Sequence, residues 1–118
     1  MNWPLDVLKF HKKFSLRPFG EKLRRDRDLL KSRASRIEEE CGELLDALRR
    51  KDWKREELAQ EGVDVIYSVL GMFVELGIDP DLCWAEVHRA NMAKEGVLVT
   101  SIVKPDGWKG PDMAAVLR

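Results

Sequence analysis

Apolar residues recur at helical spacing along most of this 118-residue chain, and only residues 97–103 are β-prone. Leu5, Leu8, Phe10 and Phe14 lie on roughly one side of residues 4–14, and Pro4 stands near the start, which predicts a short amphipathic helix. Residues 15–20 hold Pro18 and Gly20 and read as a loop. Residues 21–50 contain no proline and a single glycine and are dense in Arg, Glu, Leu and Ala, so they form a long second helix. In residues 54–76 the apolar positions Leu58, Val63, Ile66, Val69, Leu70, Phe73 and Leu76 define a third helix, stopped by Gly77.

Asp79 and Pro80 then supply an N-cap and a first-turn proline for a fourth helix running to about residue 94, with Gly96 beyond its end. The β-prone stretch 97–103 is single, and Pro105, Gly107, Gly110 and Pro111 follow it, so the tail reads as irregular. The fold class is therefore all-α: a bundle of four main helices with a mostly irregular C-terminal tail, in one domain spanning residues 1–118. The third helix carries apolar residues around more of its circumference than a one-sided surface helix requires, which makes it central. A homodimer or homotetramer in which helices two and three build a shared bundle accounts for that pattern.

Composition narrows the class. Twenty-one Lys and Arg balance 21 Asp and Glu, so no net field favours a nucleic acid. The longest apolar run, residues 63–76, is interrupted by Asp64, Ser68 and Glu75, and the N-terminus lacks a charged-then-apolar signal pattern. No membrane association is expected, and the protein reads as cytoplasmic. Cys41 and Cys83, with no partner at metal-ligand spacing, are expected to be buried free thiols.

The candidate chemistry lies in two acidic strips. On a helix, Glu39 and Glu43 lie about 40° apart and Glu40 and Glu43 about 60° apart, so three carboxylates share one strip. Glu61 and Asp64 form a second strip one turn long. Asp64 sits between Val63 and Val65-Ile66, where an unpaired charge is costly. A divalent cation between the two helices would offset the repulsion within this cluster, and Mg²⁺ and Mn²⁺ prefer such oxygen ligands. A solvated acidic face paired with residues such as Arg36 is the competing account.

The ordered set Glu39-Glu40-x-x-Glu43 and Glu61-x-x-Asp64 resembles the paired acidic motif of the all-α NTP pyrophosphatase superfamily. That group includes MazG-like nucleotide pyrophosphohydrolases, dimeric dUTPases and phosphoribosyl-ATP pyrophosphohydrolases. Phe10-His11, the run Glu86-Val87-His88-Arg89-Ala90-Asn91-Met92-Ala93-Lys94, and Lys104-Pro105-Asp106-Gly107-Trp108 resemble the MazG-like branch.

The resemblance implies Mg²⁺, with Mn²⁺ as an alternative, held by Glu39, Glu40, Glu43, Glu61 and Asp64. It also implies that Glu39 or Glu40 orients or deprotonates the attacking water, and that Asn91, Lys94 and Lys104 reach the nucleotide. The implied reaction cleaves a nucleoside or deoxynucleoside triphosphate between its α and β phosphates, giving monophosphate and pyrophosphate, as in nucleotide-pool house-cleaning. A dUTP-preferring diphosphatase of the same fold and a non-enzymatic helical dimer serving as a binding module are the alternatives. Of the basic residues of helix two, Arg33 and Arg36 are the nearest candidates to face the phosphates, whereas packing is favoured over base stacking for Tyr67 and Trp108. The apolar approach to Lys104 at residues 100–103 departs from the relatives and blurs base selection.

Overall fold

The computed structural model describes residues 1–14, 27–95 and 102–117. The element order is α1 (Trp3–Phe14), α2 (Arg27–Arg49), α3 (Arg55–Leu76), α4 (Pro80–Met92) and a short α5 (Met113–Val116). Among the described residues there is no strand beyond one isolated antiparallel bridge between Glu95 and Val103, so the fold is all-α as expected. Residues 21–26, the expected start of the second helix, lie outside the described residues, and α5 is a helical turn the tail pattern did not reveal. No described helix is long and apolar enough to cross a membrane.

The chain divides into two compact units, residues 1–78 and 79–118. In the first, α1 starts where the Asn2 side chain accepts from the Leu5 backbone N–H at 3.0 Å, satisfying one of the donors a helix start leaves open. Its inward residues are Val7 and His11, four apart, while Phe10 and Phe14 stay exposed, so the expected apolar side is not the buried one. α3 packs against both α1 and α2, which makes it central to this unit. Gly77 ends α3 in the left-handed conformation at φ 65°, and Ile78 donates back to the Phe73 carbonyl at 2.9 Å.

Cross-links between α2 and α3 run in opposite chain directions, so the helices are antiparallel. Arg50 meets Glu57 at 2.6 Å near the connection, the Glu43 and Glu61 carboxylates come within 4.8 Å of each other further along, and Arg33 meets Glu75 at the far end. The fully buried residues of α3 are small or polar. Ser68 and Gly71 are buried, whereas Val63 and Ile66 face outward at 56% and 39% exposure.

In the second unit, Asp79 caps α4 by accepting from the Asp81 N–H at 2.9 Å, with Pro80 in the first turn. The helix stops at Met92, two residues before the expected end, with Ala93 as its C-cap. Cys83 is buried and Cys41 half-buried, and both thiols are free.

Candidate active site

Residues 36, 40 and 43 of α2 lie within turns of one another, and residues 61, 64 and 68 of α3 do the same on the opposing helix. Antiparallel packing brings the two strips together. One carboxylate oxygen each from Glu40, Glu43 and Glu61 lies within 4.8 Å of the other two. Asp64 and Glu39 stand close enough for their charges to act on Glu40, and Asp64 also acts on Glu61. Three of the five expected ligands therefore converge as a group, with Asp64 near enough for its charge to act on two of them, while Glu39 is exposed.

The electrostatics show how crowded this cluster is. The Glu61 carboxyl is pushed above its ordinary value by burial first, then by the charge of Glu43 and a hydrogen bond with it, then by Asp64 and Glu40. Glu40 is also raised, by burial first, then by Glu43, Asp64 and Glu39, with Arg36 opposing. Glu61 Oε2 is buried without a hydrogen-bond partner among the described residues. An all-carboxylate donor set with an orphaned buried oxygen fits a hard, oxygen-preferring dication.

These carboxylates open onto a cavity of about 790 Å³ lined by residues of α1, α2 and α3. Glu40 and Asp64 lie on its wall, together with Arg36, Ser32 and Ser68. Phe10, Phe14 and Tyr67 form an aromatic flank, with Phe10 edge-on to Tyr67 at 5.4 Å between centroids and 4.9 Å from Phe14. Arg33, His11 and Glu75 line the same space, and Arg33 donates through Nη2 to Glu75. Gly71 leaves room beside them: a Cβ there would stand 2.8 Å from Arg33 Nη1 and 3.1 Å from His11 Nε2. As a sequence motif Phe10-His11 does not reveal the partners of His11, which come from α2 and α3. The available signal was the small or polar series Asp64, Ser68, Gly71 and Glu75 at helical spacing within an otherwise apolar helix.

In the second unit, the tail is clamped to α4. Glu86 Oε1 accepts from Arg89 Nη2 at 2.8 Å and from the Asp112 N–H at 3.0 Å, which holds its carboxyl down at about 2. The Trp108 indole N–H donates to the Ala90 carbonyl at 2.8 Å, and Lys94 Nζ and Lys104 Nζ lie 5.4 and 4.9 Å from its ring centroid. The structure thus brings the two expected lysines together on one indole, which packs on the helix as anticipated. Asn91 is exposed on the last turn of α4.

The antiparallel pair of α2 and α3 thus gathers the carboxylates, and two of them, Glu40 and Asp64, line an aromatic-flanked cavity. The chain belongs to the phosphoribosyl-ATP pyrophosphohydrolase family, which it matches over residues 7–91. That span takes in α1 from Val7 onward, the carboxylates and Asn91, and Lys94, Lys104 and Trp108 lie beyond it. No curated protein sequence matches the chain.

Proposed function

We infer that the protein hydrolyses a nucleoside or deoxynucleoside triphosphate between its α and β phosphates, releasing monophosphate and pyrophosphate and so clearing the cytoplasmic nucleotide pool. The observation that carries this reading is one cavity with Glu40 and Asp64 on its wall and the Phe10, Phe14 and Tyr67 rings beside them. Carboxylates suit a cation-bridged phosphate, and aromatic faces suit a base.

Glu40, Glu43, Glu61 and Asp64 would hold Mg²⁺ or Mn²⁺, with Glu39 as an outer member. The bound ion would supply charge neutralisation for the phosphates and acidify water. Glu40 is the better placed of the two candidates to receive the proton of the attacking water, because it lines the cavity and its carboxyl is raised above its ordinary value by burial and by Glu43. Arg36, on the same wall, faces the incoming phosphates. Asn91, Lys94 and Lys104 are assigned to phosphate or sugar contacts, and the convergence of both lysines on Trp108 supports an anion there.

The test is product analysis with purified protein and a panel of nucleoside triphosphates, dUTP and phosphoribosyl-ATP included, with and without Mg²⁺. Stoichiometric monophosphate and pyrophosphate support the reading. Nucleotide binding without turnover favours the binding module.

A homodimer, or a homotetramer of two such pairs, completes the proposal. Val63 and Ile66 on α3, with Leu45 and Leu48 at 43% and 54% exposure on α2, are apolar side chains that a second copy of the chain would cover. Light scattering should give at least twice the 13.6 kDa chain mass, and Val63→Lys should lower it.

A further inference from the structure

The far end of the cavity carries chemistry that phosphate hydrolysis does not use. Arg33 precedes Glu40 by two helical turns, about 10 Å along α2, so a nucleotide with its α phosphate at the carboxylates extends its base toward Arg33. The Arg33 and Glu75 side chains are only 11% and 7% exposed, and His11 is 3% exposed.

Arg33 and His11 carry more donors than the hydrogen bonds recorded among the described residues take up. A guanidinium has five N–H donors and accepts nothing. Arg33 Nη2 lies 3.5 Å from His11 Nε2, so Nε2 turns its lone pair to Arg33 and the ring proton sits on Nδ1. Burial first, and then the Arg33 charge, lower the His11 pKa below its ordinary value. His11 Nδ1 is buried and has no hydrogen-bond partner among the described residues, and Arg33 Nε and Nη1 make no hydrogen bond there either. The neighbouring carboxylates Glu75 and Asp28 are already engaged.

We propose that Arg33 and His11 form the base-reading end of the cavity and select nucleotides whose base carries an exocyclic carbonyl over those carrying an amino group at that position. A carbonyl oxygen accepts from such donors, whereas an amino group sets N–H against N–H and leaves buried donors unmet. Hypoxanthine is thus preferred to adenine and uracil to cytosine. The assignment rests on the nucleotide reading of the cavity given above and adds the class of base to it.

The test compares kcat/KM for inosine against adenosine triphosphate and for uridine against cytidine triphosphate, each pair differing at one exocyclic group. Wild-type protein should favour the carbonyl member by about tenfold or more. The double variant Arg33→Met/Glu75→Gln, which removes both charges together, should bring the ratios to within about twofold, and circular dichroism checks its fold. Calorimetric binding of inosine and adenosine monophosphates reads the same discrimination without turnover.

Hydrolysis with equal ratios, with an amino preference, or of phosphoribosyl-ATP alone overturns the base assignment and leaves the hydrolase reading standing. Preferential inosine monophosphate binding without hydrolysis of any triphosphate supports the base assignment and removes the reaction. Binding of neither monophosphate, in a protein that hydrolyses nothing, removes both.

Discussion

Arg33 of α2 and Glu75 of α3 form an ion pair whose side chains are 11% and 7% exposed, and Gly71, one turn before Glu75, leaves the room that this pair occupies. Alanine at 71 would gain about 1 kcal/mol in helix propensity. Its methyl group would meet a guanidinium held in place by Glu75, and overpacking of that kind costs about 1–3 kcal/mol. Gly71→Ala is therefore expected to destabilise the protein, read as a lower midpoint in urea. A stabilised variant would show that Arg33 yields freely.

Removing one partner of the pair is expected to do more harm. Glu75→Gln leaves the Arg33 guanidinium without its countercharge in a nearly dry site, a change typically worth about 3–5 kcal/mol. Arg33→Met/Glu75→Gln should recover most of that loss, which a double-mutant cycle measures directly.

The carboxylate cluster predicts the opposite balance of stability and activity. Glu61→Gln and Glu40→Gln relieve like-charge repulsion, so neither should lower the thermal midpoint of the protein without added metal. Both should reduce pyrophosphate release by about 100-fold or more. A pronounced fall in midpoint would assign these residues to structure instead.

His11 ties stability to pH. Its folded pKa is lowered from 6.5 by burial and Arg33, so the unfolded chain takes up the proton more readily. The stabilisation is fully present above 6.5 and is lost as pH falls through the lowered folded value. Thermal midpoints between about pH 8 and about pH 5 should fall for wild type and fall less for His11→Gln.

Glu86 acts further into acid. Its carboxyl drops from 4.5 to about 2 because Arg89 and the Asp112 N–H bind the charged form. That contribution is present above 4.5 and disappears as pH falls toward 2. Limited proteolysis should release the tail faster from Glu86→Gln than from wild type at neutral pH.

Much of this molecule was legible in the sequence. Asp79-Pro80 and Gly77 marked helix ends that capping geometry enforces, and the spacing of Glu40, Glu43, Glu61 and Asp64 placed them on facing strips. Two things were not legible. Which side of α1 turns inward depends on what it packs against: Val7 and His11 are buried while the larger Phe10 and Phe14 flank the cavity. The His11, Arg33 and Glu75 grouping joins three helices, and the long separation of its members leaves no local pattern. Asp64 stands among apolar neighbours in the sequence, but Val63 and Ile66 turn outward and Asp64 lines the cavity.

The central claim is tested most directly by following a nucleoside triphosphate with wild-type and Glu40→Gln protein in Mg²⁺ and quantifying every phosphorus-containing product. Equal amounts of monophosphate and pyrophosphate from wild type, dependent on Mg²⁺ and lost in Glu40→Gln, are predicted. Release of orthophosphate with a diphosphate product, or no hydrolysis of any nucleotide including phosphoribosyl-ATP, would contradict it.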